Sequence, residues 1–137
     1  MPIATEDQTR ALKLRELCPL LFVQDIQRSI AFYCQALGFN LARQAGAGGS
    51  LFWCMLERDV CSLMLQQAEA EDGSPMGRGR GVIFYFVCDA ADQMHAELTD
   101  RGLTLAAPKT AYYGMRQVTV RDPDGYELCF ENPTTEA

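Results

Sequence analysis

Asp25 is followed thirteen positions later by Gly38, and Asp89 is followed thirteen positions later by Gly102. From the same aspartates it is 34 positions to Asp59 and 35 to Asp124. A chain of 137 residues whose capping, stop and turn residues recur at one spacing is an internal duplication. Each copy reads as a strand, a helix and three strands, over residues 14–67 and 82–133. Residues 1–13 precede them as an extension, 68–81 form a Gly-rich linker, and 134–137 are a tail. Copies of about 55 residues bury too little to stand alone, so their sheets are expected to pack about a pseudo-twofold in one domain. A concave space between two curved sheets is a natural small-molecule site.

Local signals set the elements. A strand is expected over 17–23, early or at an edge because Pro19 lacks a ladder donor. Asp25 then caps a helix over 26–37, and Gly38 ends it. Strands are expected over 39–43, 50–57 and 60–66, the first two separated by the flexible run 45–49. In the second copy a strand covers 82–87, Asp89 caps a helix that Gly102 stops, and strands follow at 103–105, 116–121 and 126–131. The turn before the last strand, Asp122-Pro123-Asp124-Gly125, has a mechanism, since Pro presets φ and Gly accepts positive φ.

Partners are narrowed by charge and by cysteine usage. A net charge of −6 disfavours nucleic acid and anionic membranes, and tolerates a cationic ligand. No apolar run reaches the length of a membrane span and the first residues lack signal-peptide character, so a cytoplasmic location is expected. Cysteines at 18, 34, 54, 61, 88 and 129 form no CxxC pair, which points to reduced thiols and away from a zinc ribbon or a disulfide framework. The one histidine, His95, falls in the second helix as a partly exposed surface residue.

The run Asp25-x-x-Arg28-Ser29-x-x-Phe32-Tyr33-x-x-x-Leu37-Gly38-Phe39, the repeated helix 89–102, and the closing Tyr113-Gly114-Met115-Arg116 and Val120-Arg121-Asp122-Pro123-Asp124-Gly125-Tyr126 carry a resemblance. Over residues 14–133 the chain resembles the glyoxalase, bleomycin-resistance and extradiol-dioxygenase superfamily, the vicinal oxygen chelate proteins. The resemblance implies an α+β fold of two βαβββ modules whose mixed sheets curl into a cup, usually completed as a homodimer. In the superfamily's enzymes a divalent metal sits in the cup, held by His, Gln or Glu from the first and last strands of each module. Those positions carry over to Cys18, Met64, Val82 and Cys129, none of them a His or a carboxylate. Hard and borderline metals want oxygen or imidazole ligands, so neither metal nor cofactor is expected here. Two thiols and a thioether could suit copper(I) or zinc; alternatively, sulfur side chains fill a cup without a metal.

Register completes the expected lining. A first hairpin centred on Arg58-Asp59 puts Trp53 opposite Met64 and Leu51 opposite Gln66; in the second copy Val118 faces Cys129 and Arg116 faces Glu131. The wall then comprises Cys18, Leu20, Phe22, Trp53, Met64 and Gln66 from one module, and Val82, Phe84, Phe86, Arg116, Glu127, Cys129 and Glu131 from the other. Trp53 is a stacking platform or core packing. Arg116 and Glu131 form a charge pair at the cup's edge, or hold a carboxylate and a cationic group respectively. Glu127 and Glu131 are the only candidates for a general base. Tyr112 and Tyr113, on the loop before the last hairpin, close over a ligand or cover a dimer seam. The reading is a metal-free protein of the bleomycin-resistance type that sequesters an amphipathic or cationic small molecule; the alternative is a glyoxalase-like lyase or related enzyme with an atypical metal site.

Overall fold

The computed structural model describes residues 12–69 and 78–134. Most of the expected extension and linker, and all but Thr134 of the tail, lie outside the described residues. The first module runs β1 (Leu20–Val23), α1 (Ile26–Ala31, continued by a π-helical turn, Phe32–Ala36), β2 (Asn40–Ala47), β3 (Ser50–Arg58) and β4 (Cys61–Gln67). The second runs β5 (Ile83–Val87), α2 (Ala91–Asp100), β6 (Lys109–Thr110), β7 (Met115–Arg121) and β8 (Glu127–Pro133). Each forms a four-stranded sheet, ordered β1-β4-β3-β2 and β5-β8-β7-β6, with its first strand parallel to its last. This α+β arrangement of two like modules is the vicinal oxygen chelate fold.

The punctuation residues act as their chemistry requires. Pro19 stays outside β1 and offers only its carbonyl, which accepts from the Met64 N–H at 2.8 Å. Asp25 caps α1, its carboxylate accepting from the Arg28 N–H, and Gly38 ends the helix at φ 74°. The run 45–49 is not a flexible spacer: β2 continues to Ala47 through bulges, and Gly48 and Gly49, at φ 58° and 82°, make the two-residue turn into β3. Residues 103–105 are not a strand either, and the short edge strand is Lys109–Thr110.

The second helix starts one residue later than expected. Its N-cap is Ala90, which has no capping side chain; Asn132 Oδ1 takes the Ala91 N–H instead, at 2.7 Å. β5 is likewise one residue out of its expected phase, and so, separately, is the β7–β8 hairpin. The registers are Val118 with Phe130, Thr119 with Cys129 and Gln117 with Glu131, so the expected pairs Val118–Cys129 and Arg116–Glu131 are each off by one residue. A one-residue slip exchanges the faces of a strand. In the first module the hairpin turn is Asp59-Val60, with Asp59 at φ 52°; Trp53 pairs with Gln66 and Met55 with Met64, a two-residue slip that leaves the faces intact.

One core joins the modules. Leu21, Val23, Leu56, Leu63 and Leu65 of the first sheet, Val118, Val120, Leu128 and Phe130 of the second, and Ile26, Tyr33, Leu37 and Leu98 of the helices are buried together. The Asp122–Tyr126 turn clasps the two: Tyr33 donates its hydroxyl to Asp122 Oδ2 at 2.7 Å, the Gln24 N–H binds Asp124 Oδ1 at 2.8 Å, and the Tyr126 hydroxyl reaches the Phe22 carbonyl at 2.7 Å.

Candidate functional site

Alternation along each strand sends one set of side chains into the shared core and leaves the other on an open face. In the first sheet the open face carries Leu20 and Phe22 from β1, Trp53 and Met55 from β3, and Met64 and Gln66 from β4. Phe22 keeps 49% of its surface exposed, which makes this an unfinished apolar wall. Cys18 lies just ahead of β1, half-buried and electrostatically coupled to Glu57.

The open face of the second sheet differs from the expected one. Ile83, Tyr85 and Val87 pair with Glu127, Cys129 and Glu131, while Phe84 and Phe86 pair with Leu128 and Phe130 on the core side. Phe86 stacks on Phe130 at 5.0 Å and meets Phe39 edge-on at 6.0 Å, so it is part of the core between the modules and not of the cup wall. Val82 precedes β5, and the residue matching Cys18 in phase is Ile83. The structure leaves Glu127, Cys129 and Glu131 together on one face, as their alternation required.

Sequence reading missed Tyr85 and Gln117, which organise this face. Gln117 Nε2 donates to Glu131 Oε1 and to the Tyr113 hydroxyl, both at 2.8 Å, and Tyr113 in turn lies near the Tyr85 phenol. Its interaction with Tyr113 pushes the Tyr85 phenol upward in pKa. Tyr113, Gln117 and the buried Glu131 therefore form a hydrogen-bonded row across the second sheet, with Tyr85 beside it. Tyr112 packs edge-on against Tyr113 at 5.2 Å and is fully exposed. Arg116 lies on the opposite side, where it binds Asp92 at 3.1 Å and Thr110 at 3.2 Å; it makes no pair with Glu131. Glu127 is held by Arg121 at 3.3 Å.

The donor set does not fit the superfamily's divalent metal. A thiol at Cys18, a thioether at Met64, the aliphatic Ile83 and a thiol at Cys129 offer no imidazole or carboxylate. Burial, followed by the charges of Glu131 and Glu127, pushes the Cys129 thiol up to about 11, so with no cation beside it the group stays a thiol at neutral pH. Burial also raises Cys18, with Glu16 and Glu57 adding to it. Among the described residues no group of three or more His, Cys, Asp or Glu could hold a metal ion.

The fold has many relatives among solved structures. A glyoxalase/bleomycin resistance protein/dioxygenase from Nocardioides superimposes with a TM-score of 0.70 at 18% identity, covering 96% of this chain and 92% of that one. TnmS3, an antibiotic binding protein from Streptomyces sp. CB03234, gives 0.68 at 21% identity, with 90% and 99% covered. A bleomycin-binding protein complexed with bleomycin gives 0.69 at 20%, with 87% and 98% covered. No curated protein sequence matches the chain. The profile of the Glyoxalase/Bleomycin resistance protein/Dioxygenase superfamily matches residues 15–130, and with the paired βαβββ modules it establishes that the chain belongs to that superfamily.

Proposed function

We propose that this protein binds an amphipathic small molecule on the open faces of its two sheets and sequesters it without chemical change. The observation that carries the reading is the second sheet's face, where the hydrogen-bonded Tyr113, Gln117 and Glu131 lie beside the half-exposed Ile83 and Tyr85. An apolar wall supplies affinity, and a few fixed polar groups set orientation. Trp53 and Phe22 provide the stacking surface in the first module, while Tyr112, fully exposed beside Tyr113, is placed to cover a ligand. A second copy of the chain completes the cup, because each open face is too exposed to enclose a ligand alone. Superfamily relatives that are antibiotic-binding proteins support the same reading.

The metal-free character rests on the donor set described above. Calorimetry with bleomycin-type glycopeptides and a panel of amphipathic drugs tests the proposal. Saturable binding that Tyr85→Ala and Gln117→Ala weaken is expected, and absence of binding across the panel refutes it. Elemental analysis after dialysis tests the second half; a stoichiometric metal dependent on Cys18 and Cys129 would replace this reading with an atypical lyase.

A further inference from the structure

The pseudo-twofold makes two seams between the modules, and their contents differ. The parallel pairs Leu20–Met64 and Tyr85–Cys129 set an offset of 65 residues between like positions. By that offset Leu98 stands where Tyr33 stands, and Cys61 where Tyr126 stands. In the first seam the two phenols fill the space between α1 and the Asp122–Tyr126 turn. In the second, a leucine and a thiol replace them between α2 and the Asp59-Val60 turn, and a hollow of about 460 Å³ remains.

The hollow has a floor of Phe39, Phe86 and Phe130, rings already in mutual contact. Met94 lines it from α2, on the same helical stripe as Ala90, Gln93 and Glu97. Its charges are one guanidinium, Arg58, against the carboxylates of Asp59, Asp89 and Glu97. Arg58 is committed, to the Leu37 carbonyl at 2.8 Å and to Glu97 at 2.9 Å. The turn carboxylates behave differently in the two seams. Asp124 is buried and takes the Gln24 N–H and the Ser29 hydroxyl, with Arg28 and Arg78 at 3.8 and 3.7 Å. Asp59 has only the Arg58 Nε at 3.8 Å and is 87% exposed, and Asp89 has no hydrogen-bond or ion-pair partner among the described residues.

We propose that this second seam is a binding site for a small amphipathic cation, a quaternary ammonium or protonated amine carrying an aromatic or short alkyl group. The apolar part lies on the phenylalanine floor with the cation at the rim facing Asp59 and Asp89, supplying the filling and the countercharge that Tyr126, Arg28 and Arg78 supply in the first seam. The site is on the core side of the sheets and shares only Val87 with the open-face residues named above.

Benzyltrimethylammonium is the probe, followed by calorimetry and by maleimide labelling of the native cysteines. Cys61 and Cys88 line the hollow, whereas Cys18 lies beside the open face of the first sheet. Saturable binding that protects Cys61 and Cys88 and leaves Cys18 labelling unchanged is expected. The double variant Asp59→Asn, Asp89→Asn weakens binding about tenfold, and Val60→Arg, at a 96% exposed rim position that cannot upset the core, does the same by repulsion. Absence of saturable binding, protection of Cys18 in place of Cys61, or unchanged affinity in both variants overturns the proposal. Drug binding at the open faces would leave Cys61 labelling unaltered, so the two readings fail separately.

Discussion

Asp122 shows how one side chain can serve both modules. Its carboxylate accepts the Tyr33 hydroxyl and the backbone N–H groups of Asp124 and Tyr126, at 2.7, 2.9 and 2.9 Å. Burial raises its pKa, and the hydrogen bonds offset only part of that rise. A carboxyl whose folded pKa exceeds its unfolded value adds stability that is complete below the unfolded value and is lost as pH rises through the folded one. Asp122→Asn keeps an acceptor for both backbone donors and offers an amide to Tyr33. Urea unfolding across a pH series is therefore expected to place this variant within about 1 kcal/mol of wild type at neutral pH and to remove the fall in stability that ionisation of Asp122 brings as pH rises. Asp122→Ala, which strands three donors, is expected to cost about 3 kcal/mol. Cysteines give a second prediction at this scale. Burial pushes Cys54 and Cys129 up to about 11, so both should resist iodoacetamide at neutral pH and react only after unfolding, as followed by mass spectrometry.

At the scale of the element, Asn132 deserves a test because it performs a capping role from 41 positions away. Asn132→Ala leaves the Ala91 N–H without its acceptor, and thermal unfolding should report a loss of about 1 kcal/mol. This cap also explains what the sequence could and could not disclose. Helix stops at Gly38 and Gly102, the Asp25 cap and the Asp122–Gly125 turn were legible because each residue carries its own conformational reason. Ala90 carries none, so the eye settles on Asp89, and one residue of error turned Phe84 and Phe86 outward and Tyr85 inward. The first module survived a comparable error because its slip was even: Phe22, Trp53 and Met64 stay on the open face although Trp53 meets Gln66 and not Met64. The row of Tyr113, Gln117 and Glu131 was hidden by the separate one-residue slip of the β7–β8 hairpin, since Gln117 meets Glu131 only in the true register.

At the scale of the whole molecule, the open faces set the expected assembly. Phe22 is half-exposed on a sheet whose other side is packed at Leu21, Val23, Leu56, Leu63 and Leu65, a situation a second copy would resolve. Sedimentation is expected to give a dimer. Phe22→Asp should shift it toward monomer while circular dichroism stays native, because that side chain leaves the core untouched.

The Asp122–Tyr126 clasp has a consequence for the order in which the chain can be made. Tyr33 and Asp122 are 89 positions apart, and Gln24 and Asp124 are 100 apart. A ribosome that has released the first module has not yet released its partner turn. Synthesis at about 5–20 residues per second leaves a wait of several seconds before that turn follows. During that interval Tyr33 and Ser29 lack the carboxylates of Asp122 and Asp124 that they bind in the finished fold, which opens the first module to misassembly with a neighbouring copy.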